Sequence, residues 1–175
     1  MGDYRPKIEQ RIARQILRAL MLLSLALVQT ALAPTFWRFR ADWVLIAVIG
    51  WTVLRGLIPG VRWAIYGGLS LDLLGVMPIG SHLLAMLICV IGVAIVVEPL
   101  DREQPLLVIG VTLAASVLYG GILSLLLFSQ GFPLPWRHYT LVEIFPTAII
   151  NTILAIPTFA LLRRLYKRGQ PTVEA

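Results

Sequence analysis

The chain has 175 residues, 58% of them hydrophobic and 14% charged, with a mean hydropathy of +0.84. A soluble domain carries about a quarter of charged residues, so this composition describes an integral membrane protein with no sizeable soluble domain. The formal net charge of +6 comes mainly from bases at the two chain ends beside apolar runs. Anionic headgroups and membrane orientation account for them there, and nucleic-acid binding is excluded.

At about 20 apolar residues per span, the length holds about six membrane helices with short connections. Residues 1–15 read as an amphipathic cytoplasmic segment: Ile8, Ile12 and Ile16 share one helical face, while Arg11, Arg14 and Arg18 crowd the other. Residues 16–165 read as a single six-helix transmembrane domain and residues 166–175 as a basic cytoplasmic tail. The first run, Ile16 to Phe36, contains Ala31-Leu32-Ala33, which mimics a signal cleavage site. The run is too long for a signal core and further apolar segments follow, so it is a retained span. Gln29 within it reads as an interhelical hydrogen-bonding group.

The second run, Trp43 to Ile58, spans only if Arg55 snorkels to the interface. The third, Val61 to Met77, is short enough that a re-entrant or irregular segment near Pro78 and Gly80 stands as the alternative to a plain span. A fourth, His82 to Val97, is followed by the EPLDREQ loop with Pro99 and Pro105. The fifth, Pro105 to Phe128, carries Ser116, Gly120 and Ser124 at a spacing of four, a packing stripe and a candidate partner-contact face. GFPLPWRHY reads as an interfacial loop with aromatic anchors, and the sixth run, Leu141 to Leu162, ends in RRLYKR. In a six-span arrangement all but Arg38, Arg40 and Arg137 of the 15 basic residues fall on one side, which predicts that both termini are cytoplasmic.

The third run holds the most informative residue. Asp72 is a carboxylate inside an apolar segment, at an insertion cost of roughly 2.5 to 3.5 kcal/mol near mid-bilayer. Gly60, Ala64, Gly68 and Asp72 share a spacing of four, with Gly67 and Gly75 flanking, so small residues line a face on which another helix can approach closely. Asp72 then serves either as polar glue between helices or in a direct chemical role. Counting residues from Arg18, Arg62 and Arg163 puts Gln29, Asp72 and Asn151 at one depth, roughly 15 to 18 Å from the cytoplasmic boundary. The three either converge or share a depth on helices that do not touch. A membrane hydrogen bond averages only about 0.6 kcal/mol, so Asp72 needs several donors, trapped water or protonation. Glu143, Thr147, Asn151 and Ala155 form a comparable stripe on the sixth run.

Reactive chemistry is not apparent. The single cysteine, Cys89, sits in an apolar run as a small hydrophobe, and no disulfide framework exists. His82 and His138 lie at outer span ends without a second ligand at helical spacing, so no metal site is expected. No serine has a nearby base and no acid pair lies at one depth, which argues against an enzyme and calls for no cofactor.

Four segments, VQTALAP, ADWVLIAVIGWTVLRG, GVRWAIYGGLSLDLLGVMPIGSHLL and FPTAIINTILAIPTFALLRRL, together resemble the MreD family of rod-shape-determining membrane proteins over most of the chain. The most specific part is the glycine pair followed by Leu-Ser-Leu-Asp-Leu and then Pro-x-Gly. The resemblance falls on Gln29, Pro34, Gly60, Gly68, Asp72, Gly80, Pro146 and Asn151; the usual Pro-Asp-Leu entering the second span is Ala41-Asp42-Trp43. It implies an all-α membrane protein of about six helices, similar to the substrate-binding subunits of energy-coupling-factor transporters. It also implies a non-enzymatic scaffold in the bacterial inner membrane that binds MreC. Through MreC it would engage the transpeptidase and glycosyltransferase of side-wall peptidoglycan synthesis, near MreB filaments. The transporter likeness supplies the alternative of a vitamin-binding subunit, to which Trp136, His138 and Glu143 would contribute.

Overall fold

The computed structural model describes residues 8–36, 41–100, 104–132 and 136–168. Residues 1–7, the tail beyond 168, and Arg38, Arg40 and Arg102 of the connections lie outside the described residues. Six long helices make up the fold: α1 (Ile8–Phe36), α2 (Trp43–Arg55), α3 (Leu57–Leu74), α4 (Ser81–Val97), α5 (Pro105–Ser129) and α7 (Phe145–Arg168). A single turn, α6 (Trp136–Tyr139), and a π-helical segment, Thr140–Ile144, lead into α7. Among the described residues two helices, Leu106–Ser129 and Thr140–Tyr166, are long and apolar enough to cross a membrane, and Gln15–Ala31, Trp43–Arg55 and Ser81–Val97 are shorter apolar helices.

The core is built around α2. Val44 to Gly50 are all buried, so this helix is apolar all round because protein surrounds it on every side. Its 13 residues rise only about 20 Å, less than the ~30 Å of a bilayer core, so its ends depend on neighbouring longer helices for polar partners. Gln15 and Arg18 of α1, the end of α2 and the start of α3 line one small cavity at one end of the bundle. Arg55 there also lies over the ring of Tyr166 near the end of α7. The opposite ends of α1, α3 and α5 meet the starts of α2, α4 and α7 around a second, larger cavity. Successive long helices therefore alternate in direction.

Two boundaries differ from those expected. The second run stops at Arg55, because Gly56 takes φ +84° and breaks the helix, and Ile58 belongs to α3. Pro59 is tolerated in the first turn of α3, where backbone N–H groups have no helical partner. At its other end α3 stops at Leu74 rather than Met77, and residues 75–80 form a non-helical connection. Of the two readings of the third run, the irregularity lies in this connection and α3 itself is regular.

The sixth run also departs from a uniform helix. Pro146 has no N–H to offer the carbonyl of Val142, and its ring would crowd that carbonyl in an α-helix. The backbone widens there, with the Phe145 N–H bonding to the carbonyl of Thr140, five residues back. Along the expected stripe, Glu143 is exposed while Asn151 and Ala155 are buried.

Glycines let α3 approach its neighbours. A Cβ on Gly67 would stand 2.7 Å from Val44 Cγ1 of α2, and one on Gly68 would stand 2.6 Å from the Cα of Leu83 in α4. The second obstacle is backbone and cannot turn aside. Gly68→Ala should therefore lower stability by about 1 to 3 kcal/mol, the usual range for overpacking. Gly121→Ala, whose added Cβ meets nothing within 4 Å, should raise it by roughly 0.5 to 1 kcal/mol through helix propensity. Paired thermal melts in one detergent check the opposite signs.

Candidate functional site

Asp72 ends the last full turn of α3 and is 3% exposed. Its carboxylate accepts three backbone N–H groups across the 75–80 connection: Gly80 N–H to Oδ2 at 2.9 Å, His82 N–H to Oδ1 at 2.8 Å and Leu83 N–H to Oδ2 at 3.1 Å. These are orphan donors at the start of α4. The N-cap of that helix is Gly80, at φ +99°, which has no side chain to cap with. Asp72 supplies the missing cap from the preceding helix, at the positive end of the helix dipole. These three backbone groups are the several donors that a side chain of this kind needs inside an apolar segment.

A second cluster lies at the same end of the bundle. Asn151, fully buried on α7, accepts the Asp42 N–H at Oδ1 (2.8 Å) and donates Nδ2 to Asp42 Oδ2 (3.3 Å) and Ser116 Oγ (3.1 Å). Gln29 of α1 accepts the Val44 N–H at 3.1 Å and donates weakly to Asp42 Oδ1 at 3.4 Å. Asp42 is the N-cap residue of α2 but makes no side-chain cap of its own. The first donors of this short helix are met instead by amides from α1 and α7. The cluster ties α1, α2, α5 and α7 together.

The two clusters meet through α5. His82 Nδ1 and the Tyr119 hydroxyl share a 2.7 Å hydrogen bond, and Tyr119 lies one turn beyond Ser116. Both clusters border a cavity of about 510 Å³, lined on its polar side by Gln29, Asp42, His82, Ser116, Tyr119 and Glu143 and on its apolar side by Leu71, Leu123, Leu127 and Phe132. Gly75 and Thr147 also line it.

The structure brings Gln29 and Asn151 together, but on Asp42 rather than on Asp72. Equal depth placed all three at one level, yet Asp72 faces the start of α4. Gly60 and Ala64 are buried; a Cβ on Gly60 would strike the Thr52 side chain of α2, so the small-residue face of α3 serves both α2 and α4. Gly75 lies off that face and ends the helix, its N–H bonding to Leu71 O at 2.7 Å. The α5 stripe, expected as a partner-contact face, is largely covered within the chain. Ser116 is 5% and Ser124 0% exposed, Ser124 Oγ bonds to Gly120 O, and a Cβ on Gly120 would meet Ile144 at 3.2 Å. That face is turned inward against the segment that leads into α7.

Asp42, His82 and Tyr119 are the participants that residue spacing left out. An acid directly before an apolar run is the usual mark of a helix start, so Asp42 was visible in that sense. Nothing in the local sequence pairs Tyr119 with His82. Of the expected ligand-binding residues, Glu143 lines the cavity and His138 is exposed, while the side chain of Trp136 lies outside the described residues, as does that of Pro34 among the positions of the resemblance.

No curated protein and no solved structure matches this chain. The family model described as rod shape-determining protein MreD matches residues 10–168, nearly the whole of the six-helix body. The chain therefore belongs to the MreD family of integral membrane proteins, with a role in rod shape determination.

Proposed function

We propose that the protein is a non-enzymatic scaffold of the bacterial cell-wall elongation machinery, spanning the inner membrane six times with both termini in the cytoplasm. It binds MreC and through it the transpeptidase and glycosyltransferase of side-wall synthesis, near MreB. The observation that carries this reading is the use made of its buried polar groups: Asp72 and Asn151 are engaged in holding helix ends together. These contacts give the polar interior a structural use, which supports the scaffold reading. The alternating helices support six spans, and the gathering of Arg18, Arg55 and Arg62 at one end supports a cytoplasmic assignment for it.

Full-length tagged protein purified from membranes of its rod-shaped host should carry MreC, and depletion should round the cells. With Cys89 replaced, Gln130→Cys should be labelled by an impermeant thiol reagent in intact cells and Gln170→Cys should not. Labelling at position 170 overturns the orientation.

The cavity favours a second reading, a vitamin-binding subunit of an energy-coupling-factor transporter, because about 510 Å³ with mixed lining falls in the usual range for small-molecule sites. Native mass spectrometry separates the two. A stoichiometric vitamin together with a transporter energising module, and no MreC, would replace the scaffold reading.

A further inference from the structure

At the end of the bundle opposite the large cavity, α1, α2 and α3 enclose a smaller one of about 70 Å³, lined by Arg18, Arg55, Arg62, Trp51 and Trp63 among others. A single water needs about 10 to 15 Å³ on this measure, so the space admits a group of several heavy atoms. Its chemistry is one-sided. Three arginines from three helices line it, and no Asp or Glu does so among the described residues. The floor is the Trp51–Trp63 pair, stacked with centroids 4.6 Å apart. Arg55 is held over Trp51 at 5.8 Å and over Tyr166 at 5.0 Å, an arrangement that fixes the guanidinium without neutralising it.

The indoles add an independent observation. Among the described residues Trp51 Nε1 and Trp63 Nε1 are buried with no hydrogen-bond partner, and Trp63 as a whole is only 4% exposed. A buried donor normally finds an acceptor, and an orphan one costs about 1 to 3 kcal/mol. The lining thus carries an excess of positive charge beside Gln15 and Tyr66, and the two unmet indole donors belong to residues that line it. Membrane orientation alone explains basic residues near an interface, but it explains neither their place around one cavity nor the unmet indole donors.

The geometry points to a binding site for a phosphate group at this end of the bundle, the phosphate being that of an anionic phospholipid held between α1, α2 and α3. Arg55 and Arg62 grip the phosphate oxygens from the α2–α3 corner, and Arg18 closes from α1. The proposal does not depend on the scaffold reading. Its chemistry is shared by a lipid headgroup and by a soluble phosphate, so both are tested.

The full-length protein is reconstituted in nanodiscs of phosphatidylcholine alone or with one-fifth phosphatidylglycerol. Its melting temperature and the lipids that it retains in native mass spectrometry are then measured. The anionic lipid should be retained preferentially and should raise the melting temperature. Arg55→Gln and Arg62→Gln should each weaken retention about fivefold, the factor that one basic residue supplies near an anionic surface. Arg164→Gln, an exposed base near the end of α7, should leave it unchanged. If Arg55→Gln lowers the melt in phosphatidylcholine alone, by losing its stacking on Trp51 and Tyr166, Arg62→Gln carries the test. Inorganic phosphate added in phosphatidylcholine gives the second arm. A gain there that Arg62→Gln abolishes, with no preference for anionic lipid, keeps the phosphate site and replaces the lipid by a soluble phosphate. No gain in either arm, or an equal loss in Arg164→Gln, overturns the site.

Discussion

Asp72→Leu should destabilise the protein by roughly 3 kcal/mol or more, because it leaves the three N–H groups of Gly80, His82 and Leu83 without an acceptor. The substitution removes a group that looks unfavourable in a membrane, so on hydropathy alone it ought to stabilise. The geometry decides otherwise: the carboxylate is the cap of α4, and no other side chain at Gly80 can replace it. Asp72→Asn tests the same point more finely. The amide keeps one acceptor oxygen, but its NH₂ must face N–H donors, either those of Gly80 and Leu83 or that of His82. Its stability should fall between those of the wild type and Asp72→Leu. The loss should also reach the larger cavity, since freeing the first turn of α4 releases His82 from Tyr119 at 2.7 Å. Thermal melts in detergent report the order, and hydrogen exchange of the amides at positions 80, 82 and 83 reports the place. Wild-type stability and protection in Asp72→Leu would remove Asp72 from any role at this helix start.

The outline of this fold was legible because composition and apolar run length depend on the surrounding medium, and the medium dictates helices. Asp72 stood out for the same reason. Its partner did not, because a cap supplied by another helix depends on how the 75–80 connection folds back, which no spacing along α3 encodes. Counting rise per residue put Gln29, Asp72 and Asn151 at one level, and of these Gln29 and Asn151 both bond to Asp42, yet depth says nothing of position around the bundle. The α5 stripe shows the corresponding limit: a period of four defines a face but not the direction in which it points. The π segment was signalled only by Pro146, whose missing N–H is visible in sequence but whose effect depends on the turn before it.

Asn151→Leu should cost about 2 to 4 kcal/mol although it is close to isosteric and suits an apolar surrounding. Hydrogen bonds in membrane interiors average about 0.6 kcal/mol, so three made by Asn151 amount to roughly 2 kcal/mol by themselves. The remainder is the penalty for withdrawing partners from the buried Ser116 hydroxyl and the Asp42 N–H at the start of the central helix. Asn151→Asp is the sharper test. It keeps the shape and an acceptor for the Asp42 N–H, but it sets a carboxylate against Asp42 Oδ2, where Asn151 Nδ2 donates at 3.3 Å. Two facing carboxylates take up a proton more readily folded than unfolded, so the folded state binds more protons and stability must fall as pH rises. Asn151→Asp should therefore be the less stable variant in mildly alkaline buffer and recover progressively as the pH is lowered through the carboxylate range. Asn151→Leu has no such pair and loses only one donor to Asp42, so its deficit relative to wild type should change much less over the same range. Melting curves of the three proteins at a series of pH values separate the outcomes, and parallel curves for the two variants would mean that Asn151 does not face Asp42.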